Sequence, residues 1–438
     1  MNQTIFVSLN RLICRQQSTL SPKQLKQAIL FLQCIAILAI KLVVSTQRDT
    51  TLFMTTAQTL VINNTTYDCS KAVEYHYGRF PPEPIDLPMV FEALTSALQN
   101  LTRYDEQLKH LQNSELLLAP LRQRDAVVSS RMEGTISTLE EVLRLEASEN
   151  ARRTEGTARN ETLEVALYAR ALSQAEDQIR SGHPISEMLI KNAHRTLLSA
   201  GRGAKQRPGE YKEEQNYIGD KAQRRVDFIP ISPEDLPDGM RRFIDFIRND
   251  KQHHLIRTAI AHAEFEALHP FEDGNGRVGR MLIPLMLWEY EILSAPHFFV
   301  SDYFERNKDS YIQRMRDISD SNSWSAWCSF FLSGLSAQAE KNMDTVGKIQ
   351  THYEATRERF REVLRSQYFH SAVDYVFNSP VFWNNHFVEV ADGPKSTLRN
   401  FTPRLVQEGL LDTIVPPSGR APGLYAYSSL LRILEDDT

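Results

Sequence analysis

The stretch HPFEDGNGRVGR (residues 269–280) connects two segments of helical pattern and decides how the fold is interpreted. The run IRTAIAHAEFEALHP (256–270) precedes it, and this helix should end near His269, because the residue before a proline avoids the α-helical region. The glycines on either side of Asn275 can take positive φ, and asparagine tolerates left-handed geometry. The sequence therefore predicts a tight turn followed by a second helix over residues 276–290.

The start of that second helix has the composition of an anion-binding site. Amide groups in the first turn of a helix have no partner within the helix, and the helix dipole is positive at this end. Arg277 and Arg280 share one face and carry guanidinium groups that suit phosphate. Asp273 is an oxygen ligand of the kind that Mg²⁺ takes when it bridges phosphates, and His269 is a base beside them. A polar turn with surface arginines is the alternative, but the combination favours phosphate chemistry.

The same stretch resembles the signature HxFx(D/E)GNGRxxR of the Fic family at every specified position. The resemblance implies a mainly α fold, a Fic-type helical bundle with a β-hairpin flap. It also implies transfer of AMP from ATP, the co-substrate, to a Ser, Thr or Tyr hydroxyl of a target protein. In this reaction His269 would accept the hydroxyl proton, and Asp273 would hold Mg²⁺ on the phosphates. The residues implied in phosphate binding are Gly274, Asn275, Gly276, Arg277 and Arg280.

A second motif, SSRMEG (129–134), lies far upstream at the end of a predicted helix. It resembles the (S/T)xxxE(G/N) element of self-inhibited Fic proteins, in which Ser129 and Glu133 are the motif residues. The resemblance implies that Glu133 pairs with Arg280 and occupies the guanidinium group that should bind the γ-phosphate. The alternative is a glutamate at a helix end without a distant partner.

The inhibitory glutamate also allows a different activity. In some Fic proteins of this class it positions a water molecule, and the enzyme removes AMP from its target. The residues leave open whether this chain is an adenylyltransferase, a de-AMPylase or a bifunctional enzyme.

The segment GEYKEEQNYIGD (209–220), followed by VDFIP (226–230), predicts an exposed β-hairpin in a stretch rich in Gly, Pro and charge. It resembles the Fic flap, which aligns the target chain over the active site by edge-strand pairing. We assign Ile218 and Gly219 of this hairpin to the nucleotide-binding site. A surface hairpin without such a role is the alternative.

Other candidate residues lie on the helices around the motif. Tyr311 is a candidate for the adenine pocket, with a core tyrosine as the alternative. His262 lies about two helical turns before His269, and with His253 and His254 it matches no zinc signature. We interpret these three histidines as ordinary helix residues.

Helical periodicity and end signals predict further elements. One helix is expected over residues 87–111, another from about Pro120 to Glu133, and a third over residues 240–267. After Gly134, Ser137 and Glu140 have the spacing of a capping box at the start of a helix.

The length of 438 residues predicts about two or three domains, and a net charge of −5 excludes a polycation built for nucleic acid. The four cysteines are far apart without a CxxC pair, so we expect neither a zinc ribbon nor a disulfide framework. This cysteine usage predicts a cytoplasmic location.

The predicted domains are an N-terminal extension that is not native or is disordered (1–60), a Fic N-terminal module with the inhibitory helix (61–150), a Fic catalytic core (151–367) and a small winged-helix-like α+β domain (368–438).

The extension contains the apolar run AILFLQCIAILAIKLVV (28–44). It has 17 residues and includes Gln33 and Lys41, so it is shorter than the ~20 apolar residues of a membrane span. We expect a dispensable extension, with a signal anchor as the alternative. Met54 is a plausible alternative translation start.

The winged-helix resemblance is loose, because Pro403 falls inside the expected second helix (394–409) and would break it. Lys395, Arg399 and Arg404 form a modest basic set. We expect protein contact or homodimerisation through this module, and DNA contact is the alternative. A second class of function is therefore a DNA-binding regulator whose Fic domain senses nucleotide.

Overall fold

The computed structural model describes residues 59–62, 65–111, 114–150 and 159–435. The described residues divide into two compact units, one of residues 59–62, 65–71 and 220–226 and the other of residues 72–111, 114–150, 159–219 and 227–435. The first unit contains the antiparallel hairpin of β1 (Thr59–Ile62) and β2 (Thr65–Asp68), in which Asp68 lies opposite Arg225 in parallel register.

The second unit is mainly helical, as the sequence predicts, with small sheets. Its first helices are α1 (Leu87–His110), α2 (Ser114–Met132), α3 (Leu139–Asn150), α4 (Asn160–Arg180), α5 (Glu187–Leu197), α6 (Leu236–Asn249), α7 (His254–Leu268) and α8 (Asn275–Glu289). They are followed by α9 (Ser301–Arg306), α10 (Lys308–Ser321), the long α11 (Trp324–Leu364) and α12 (Phe369–Asn378).

Helices α7 and α8 form the centre of this unit. Buried side chains lie on every face of both helices, which is the pattern of a helix enclosed by others. Helices α1 and α11 pack against each other along their length, and α7 packs on α6, α8 and α11. The turn between α7 and α8 therefore connects two helices that are enclosed by their neighbours.

The predicted hairpin is present in the described residues. Strand β4 (Ile218–Asp220) pairs with β5 (Arg225–Ile229). The end of β5, at Phe228 and Ile229, pairs in parallel with the short β3 (Val73–Glu74).

Two predicted helix boundaries were wrong. The helix expected over residues 240–267 is divided into α6 and α7, because Asp250 is extended and the side chain of His253 caps α7 by accepting from the amide of Leu255 at 3.2 Å. Helix α2 begins before Pro120, which lies in its interior. A proline removes one helical hydrogen bond there, and burial of the leucines around it outweighs that loss.

The capping box lies one residue later than predicted. Thr138 Oγ1 accepts from the amide of Glu141 at 3.2 Å, and the amide of Thr138 donates to Glu141 Oε2 at 3.0 Å. Ser137 instead donates its hydroxyl to Glu141 at 3.0 Å. Because both Ser137–Glu140 and Thr138–Glu141 fit the motif, spacing alone did not distinguish them.

The C-terminal part contains a three-stranded antiparallel sheet in the order β6, β8, β7. Its strands are β6 (Val381–Trp383), β7 (Asp412–Val415) and β8 (Leu424–Ala426), and its helices are α13 (Asn384–Val390), α14 (Lys395–Leu398), α15 (Phe401–Gln407) and α16 (Ser428–Glu435). Pro403 falls in the first turn of α15, where a missing amide hydrogen is tolerated, so the helix expected over 394–409 is two short helices. The winged-helix assignment and the domain boundaries stay predictions.

Within the described residues, no helix combines the length and the apolar character needed to cross a membrane. The apolar run at 28–44 and the alternative start at Met54 lie outside the described residues.

Candidate active site

The turn between α7 and α8 is held in a left-handed conformation at both ends. His269 closes α7 at φ 44°, and Gly274 precedes α8 at φ 79°. The left-handed region costs a residue with a side chain ~1–2 kcal/mol, so His269 needs support from its surroundings. Asn275 provides part of it, because its side-chain amide accepts from the amide of Phe271 and donates to the carbonyl of Phe271, both at 2.8 Å. The side chain predicted to line the phosphate site thus closes the turn, and its backbone amide lies in the first turn of α8.

The imidazole of His269 has the properties of a base. Its Nδ1 lies 3.3 Å from the carbonyl oxygen of Glu266. Since a carbonyl only accepts, Nδ1 carries the proton in this contact, and Nε2 keeps its lone pair. Burial, followed by the positive charge of Lys212, lowers the pKa of His269 to about 4. The ring is therefore neutral near pH 7.

Arg277, on the first turn of α8, is a buried cation without full compensation. Arg277 is 3% exposed, and its Nε and Nη1 atoms have no hydrogen-bond partner among the described residues. The nearest carboxylate oxygens are those of Asp273 at 3.7 Å and Glu164 at 4.0 Å. Buried donors without acceptors are unfavourable, so the arrangement fits an anionic ligand such as a phosphate group.

Asp273 is the residue that fits a divalent cation. Its side chain is 48% exposed, and Oδ1 accepts from the amide of Gly274 at 2.7 Å. The described residues include no cluster of three or more His, Cys, Asp or Glu side chains that could hold a metal ion. A single carboxylate suits Mg²⁺, which keeps several waters and takes substrate phosphates as its other ligands.

Arg280 and the upstream motif are brought together. Arg280 Nε donates to the hydroxyl of Ser129 at 2.9 Å, and Nη2 donates to the carbonyl of Ser129 at 2.9 Å and to Oε1 of Glu133 at 2.6 Å. A Cβ atom placed on Gly276 would lie 2.2 Å from the same Oε1. The carboxylate of Glu133 therefore lies against the N-terminal turn of α8, where an anion is favoured.

The charge of Glu133 follows from this position. Burial raises the pKa of Glu133, but the charge and hydrogen bond of Arg280 outweigh burial and hold the pKa below its usual value. Glu133 is thus an anion at neutral pH.

Tyr311 and His262 form a buried hydrogen-bonded pair beside Arg280. The sequence suggested Tyr311 for the adenine pocket and His262 as an ordinary helix residue. Tyr311 is 4% exposed, and its hydroxyl donates to Nε2 of His262 at 2.7 Å. His262 Nδ1 in turn donates to the carbonyl of Gly279 at 3.2 Å. Burial, followed by the charge of Arg280, lowers the pKa of His262 to about 3, so this histidine is neutral. Tyr311 thus lies in the core beside Arg280, and its contact with adenine stays a prediction.

The remaining predicted residues lie in the hairpin. Ile218 is half-buried and Gly219 is exposed in strand β4. Their part in nucleotide binding stays a prediction.

Sequence reasoning missed several residues that shape the turn. His194 stacks on Phe271 at 3.7 Å between ring centroids, and its Nε2 donates to the carbonyl of Asp273 at 2.9 Å. Lys212 and Asn216 contact the other side of the turn. Because Lys212 and Asn216 lie in the predicted flap segment, the sequence indicated that they are near the active site. No sequence pattern indicated which groups they form hydrogen bonds with.

Glu266, on the last turn of α7, was also missed. Its Oε1 atom is buried without a hydrogen-bond partner in the described part of the chain, and burial raises the pKa of this carboxyl to about 7. Its Oε1 would lie 2.2 Å from a Cβ atom on Gly279, so Glu266 packs against α8 beside the site.

The fold and this turn define a helical protein with a helix start suited to an anion and a neutral histidine beside it. The Fic/DOC family model matches residues 184–287, and the model of the Fic/DOC family N-terminal region matches residues 91–177. The described chain therefore contains a Fic domain over residues 184–287, preceded by the N-terminal region of the same family over residues 91–177.

Similar proteins support this assignment. A probable protein adenylyltransferase of Aquifex aeolicus (strain VF5) is 35% identical over 91 residues, which cover 20% of this chain and 26% of the relative. A protein adenylyltransferase of Caenorhabditis elegans is 34% identical over 125 residues, covering 28% of this chain and 22% of the relative. The matched segments thus span about a quarter of the length of these relatives.

A solved structure has the same fold. The Fic family protein from Desulfovibrio desulfuricans G20 superimposes with a TM-score of 0.51 at 20% identity, covering 79% of this chain and 98% of that one.

Proposed function

We propose that this chain is a Mg²⁺-dependent protein adenylyltransferase, which transfers AMP from ATP to a hydroxyl side chain of a target protein and is restrained by Glu133. The observation that carries the proposal is the buried guanidinium of Arg277, two of whose nitrogens have no hydrogen-bond partner in the described residues, at the helix start that follows the neutral base His269. The relatives from Aquifex aeolicus and Caenorhabditis elegans, both named as protein adenylyltransferases, support it.

The chemistry needs one base and several positive groups. The target hydroxyl would lose its proton to Nε2 of His269 while its oxygen attacks the α-phosphorus of ATP. The bond from that phosphorus to the oxygen bridging to the β-phosphate breaks, and pyrophosphate leaves with the electron pair. Phosphoryl-type transfer depends mainly on positioning and charge neutralisation, which the start of α8, Arg277 and Arg280 would provide. Mg²⁺, with Asp273 as its protein ligand, would supply further neutralisation when bound.

The restraint follows from where Glu133 lies. Its carboxylate occupies Nη2 of Arg280 and lies against Gly276, so it competes with a phosphate group for the same donors. When Arg280 does not bind the γ-phosphate, the triphosphate is held by fewer contacts. The α-phosphorus is then poorly placed for attack. ATP binding and AMP transfer are therefore separable in this proposal.

Removal of AMP is the second candidate, and the position of Glu133 favours it. A carboxylate 2.6 Å from Arg280 and beside the anion site can accept a hydrogen bond from a water molecule and orient it toward a bound phosphate. Such a water would attack the phosphorus of the AMP attached to the target. The bond from that phosphorus to the target oxygen would break, the target hydroxyl would leave and take up a proton, and AMP would be released.

The test is incubation of wild type, Glu133→Gly and His269→Ala with labelled ATP, Mg²⁺ and cell lysate. We expect weak labelling of a target by wild type, stronger labelling by Glu133→Gly and none by His269→Ala. Labelling that persists in His269→Ala contradicts the assigned base. Target labelled by Glu133→Gly is then incubated with wild type, and loss of label in this step identifies the de-AMPylase activity.

A further inference from the structure

The four consecutive carbonyls of residues 268–271 all accept hydrogen bonds from two residues of the predicted flap segment. Lys212 Nζ donates to the carbonyl of Leu268 at 3.2 Å, and the amide of Lys212 donates to that of Pro270 at 2.9 Å. Asn216 Nδ2 donates to the carbonyls of His269 and Phe271, each at 3.0 Å. These contacts surround the left-handed residue His269 and fix the direction of its backbone.

Lys212 and Asn216 also bond each other. Lys212 Nζ donates to Oδ1 of Asn216 at 2.7 Å, which leaves the amide NH₂ of Asn216 directed at the turn. Lys212 is 3% exposed, and both oxygens bonded to its ammonium group are uncharged. No carboxylate in the described part of the chain is paired with this ammonium group, and burial of an unpaired charge is unfavourable, so a role besides stability accounts for it best.

We infer that Lys212 and Asn216 are positioning residues for His269, and that the charge of Lys212 keeps the imidazole in its neutral, proton-accepting form in mildly acidic conditions. The kinetic part of this inference rests on the proposed function, in which His269 is the base. The positioning part stands on the hydrogen bonds alone.

The sign of the effect follows from the charged groups that face His269. Lys212 favours the neutral ring, whereas Glu133, just after the end of α2, and Asp273 in the turn favour the protonated ring. Burial lowers the pKa of Lys212 to about 7, so the lysine carries its charge below that pH, the range in which His269 would otherwise take up a proton. If the pKa of His269 returned to its ordinary value of ~6.5, only about a quarter of the rings would be neutral at pH 6.

The direct test is an NMR titration of His269 in the full chain with ¹³C-labelled histidine, assigned with a His269→Gln sample. We expect Lys212→Met to raise the pKa of His269 and Lys212→Arg to keep it low. Equal titration curves for wild type and Lys212→Met overturn the inference. Where Lys212→Met does not fold, Lys212→Gln removes the same charge while keeping a polar end.

The kinetic test compares the same variants in the Glu133→Gly background between pH 5 and 8. We expect Lys212→Met to lose kcat/KM at pH 6 relative to pH 8, by at most about fourfold because burial still lowers the pKa of His269, with ATP affinity unchanged and Lys212→Arg restoring the profile. A rate loss that is the same at every pH would indicate a merely structural role. Absence of transfer in the Glu133→Gly parent contradicts the proposed function and leaves the NMR result to decide the inference.

Discussion

Oε1 of Glu133 accepts a hydrogen bond from Nη2 of Arg280 at 2.6 Å, although 147 positions separate the two residues. The guanidinium group is 3% exposed and the carboxylate side chain is 37% exposed, so a partly accessible carboxylate is paired with a buried guanidinium. Arg280 also keeps two hydrogen bonds to Ser129, which do not depend on Glu133. Loss of Glu133 therefore leaves Arg280 held in place with one donor available.

Replacement of Glu133 by glycine should increase the rate of AMP transfer severalfold. The substitution frees Nη2 of Arg280 and removes the carboxylate from the start of α8, while Ser129 keeps the guanidinium in position. The rate is measured with labelled ATP and lysate at fixed Mg²⁺. Glu133→Gln, which keeps the shape and loses the charge, should give a smaller increase, and equal rates for all three proteins would contradict the proposed restraint.

Loosening the end of α2 should also activate the enzyme, by a smaller factor. Arg131 forms an ion pair with Glu305 at 2.8 Å, and Lys308 Nζ donates to the carbonyl of Met132 at 2.8 Å, so α9 and α10 hold the residues next to Glu133. An exposed ion pair contributes ~0.2–1 kcal/mol, which predicts a ~1.5- to 5-fold higher rate for Arg131→Ala.

The control for this prediction is Arg357→Ala, which removes an exposed ion pair with Glu354 on α11. It should leave the rate unchanged. The double variant Arg131→Glu with Glu305→Arg should return to the wild-type rate. A swapped pair as active as Arg131→Ala would show that α2 is not held through this contact.

Arg277→Gln should weaken ATP binding by ~10- to 100-fold, because a hydrogen bond to a charged group contributes ~1.5–3 kcal/mol. Two nitrogens of the buried Arg277 guanidinium lack hydrogen-bond partners in the described residues. Calorimetric titration with ATP in the Glu133→Gly background measures the effect. Arg170→Gln, at an exposed ion pair with Glu149, is the matched loss of charge and should bind ATP as the parent does.

Gly274→Ala should lower the melting temperature by a few degrees. The residue has φ 79°, which costs an alanine ~1–2 kcal/mol, and its Cβ atom would lie 3.3 Å from a methyl group of Leu197. Gly347 lies inside α11 with only a glutamine nitrogen 4.0 Å from its added Cβ atom. Gly347→Ala should therefore leave the melting temperature unchanged or raise it, since alanine favours the helix. A Gly274→Ala protein as stable as wild type would show that the turn tolerates another geometry.

The local part of this protein could be predicted from its sequence. The turn between α7 and α8, the end of α7 near His269 and the positive φ of Gly274 were predicted from Pro270 and the glycines around Asn275. The left-handed conformation of His269 was not predicted, and Asn275 and Gly276 lie in the helix, which begins one residue earlier than expected. Boundaries were less accurate where two signals compete, as at Thr138, because neighbouring residues offered equivalent caps.

Contacts between distant segments could not be derived in the same way. The pairing of Glu133 with Arg280 was expected from a family resemblance, whereas the hydrogen bonds from Lys212 and Asn216 to residues 268–271 had no sequence pattern to indicate them. Residue types and spacing determined that a base, two arginines and a carboxylate would share one turn. Only the tertiary structure decided which distant side chains complete the site, because burial, charge and hydrogen-bond partners depend on how the helices pack.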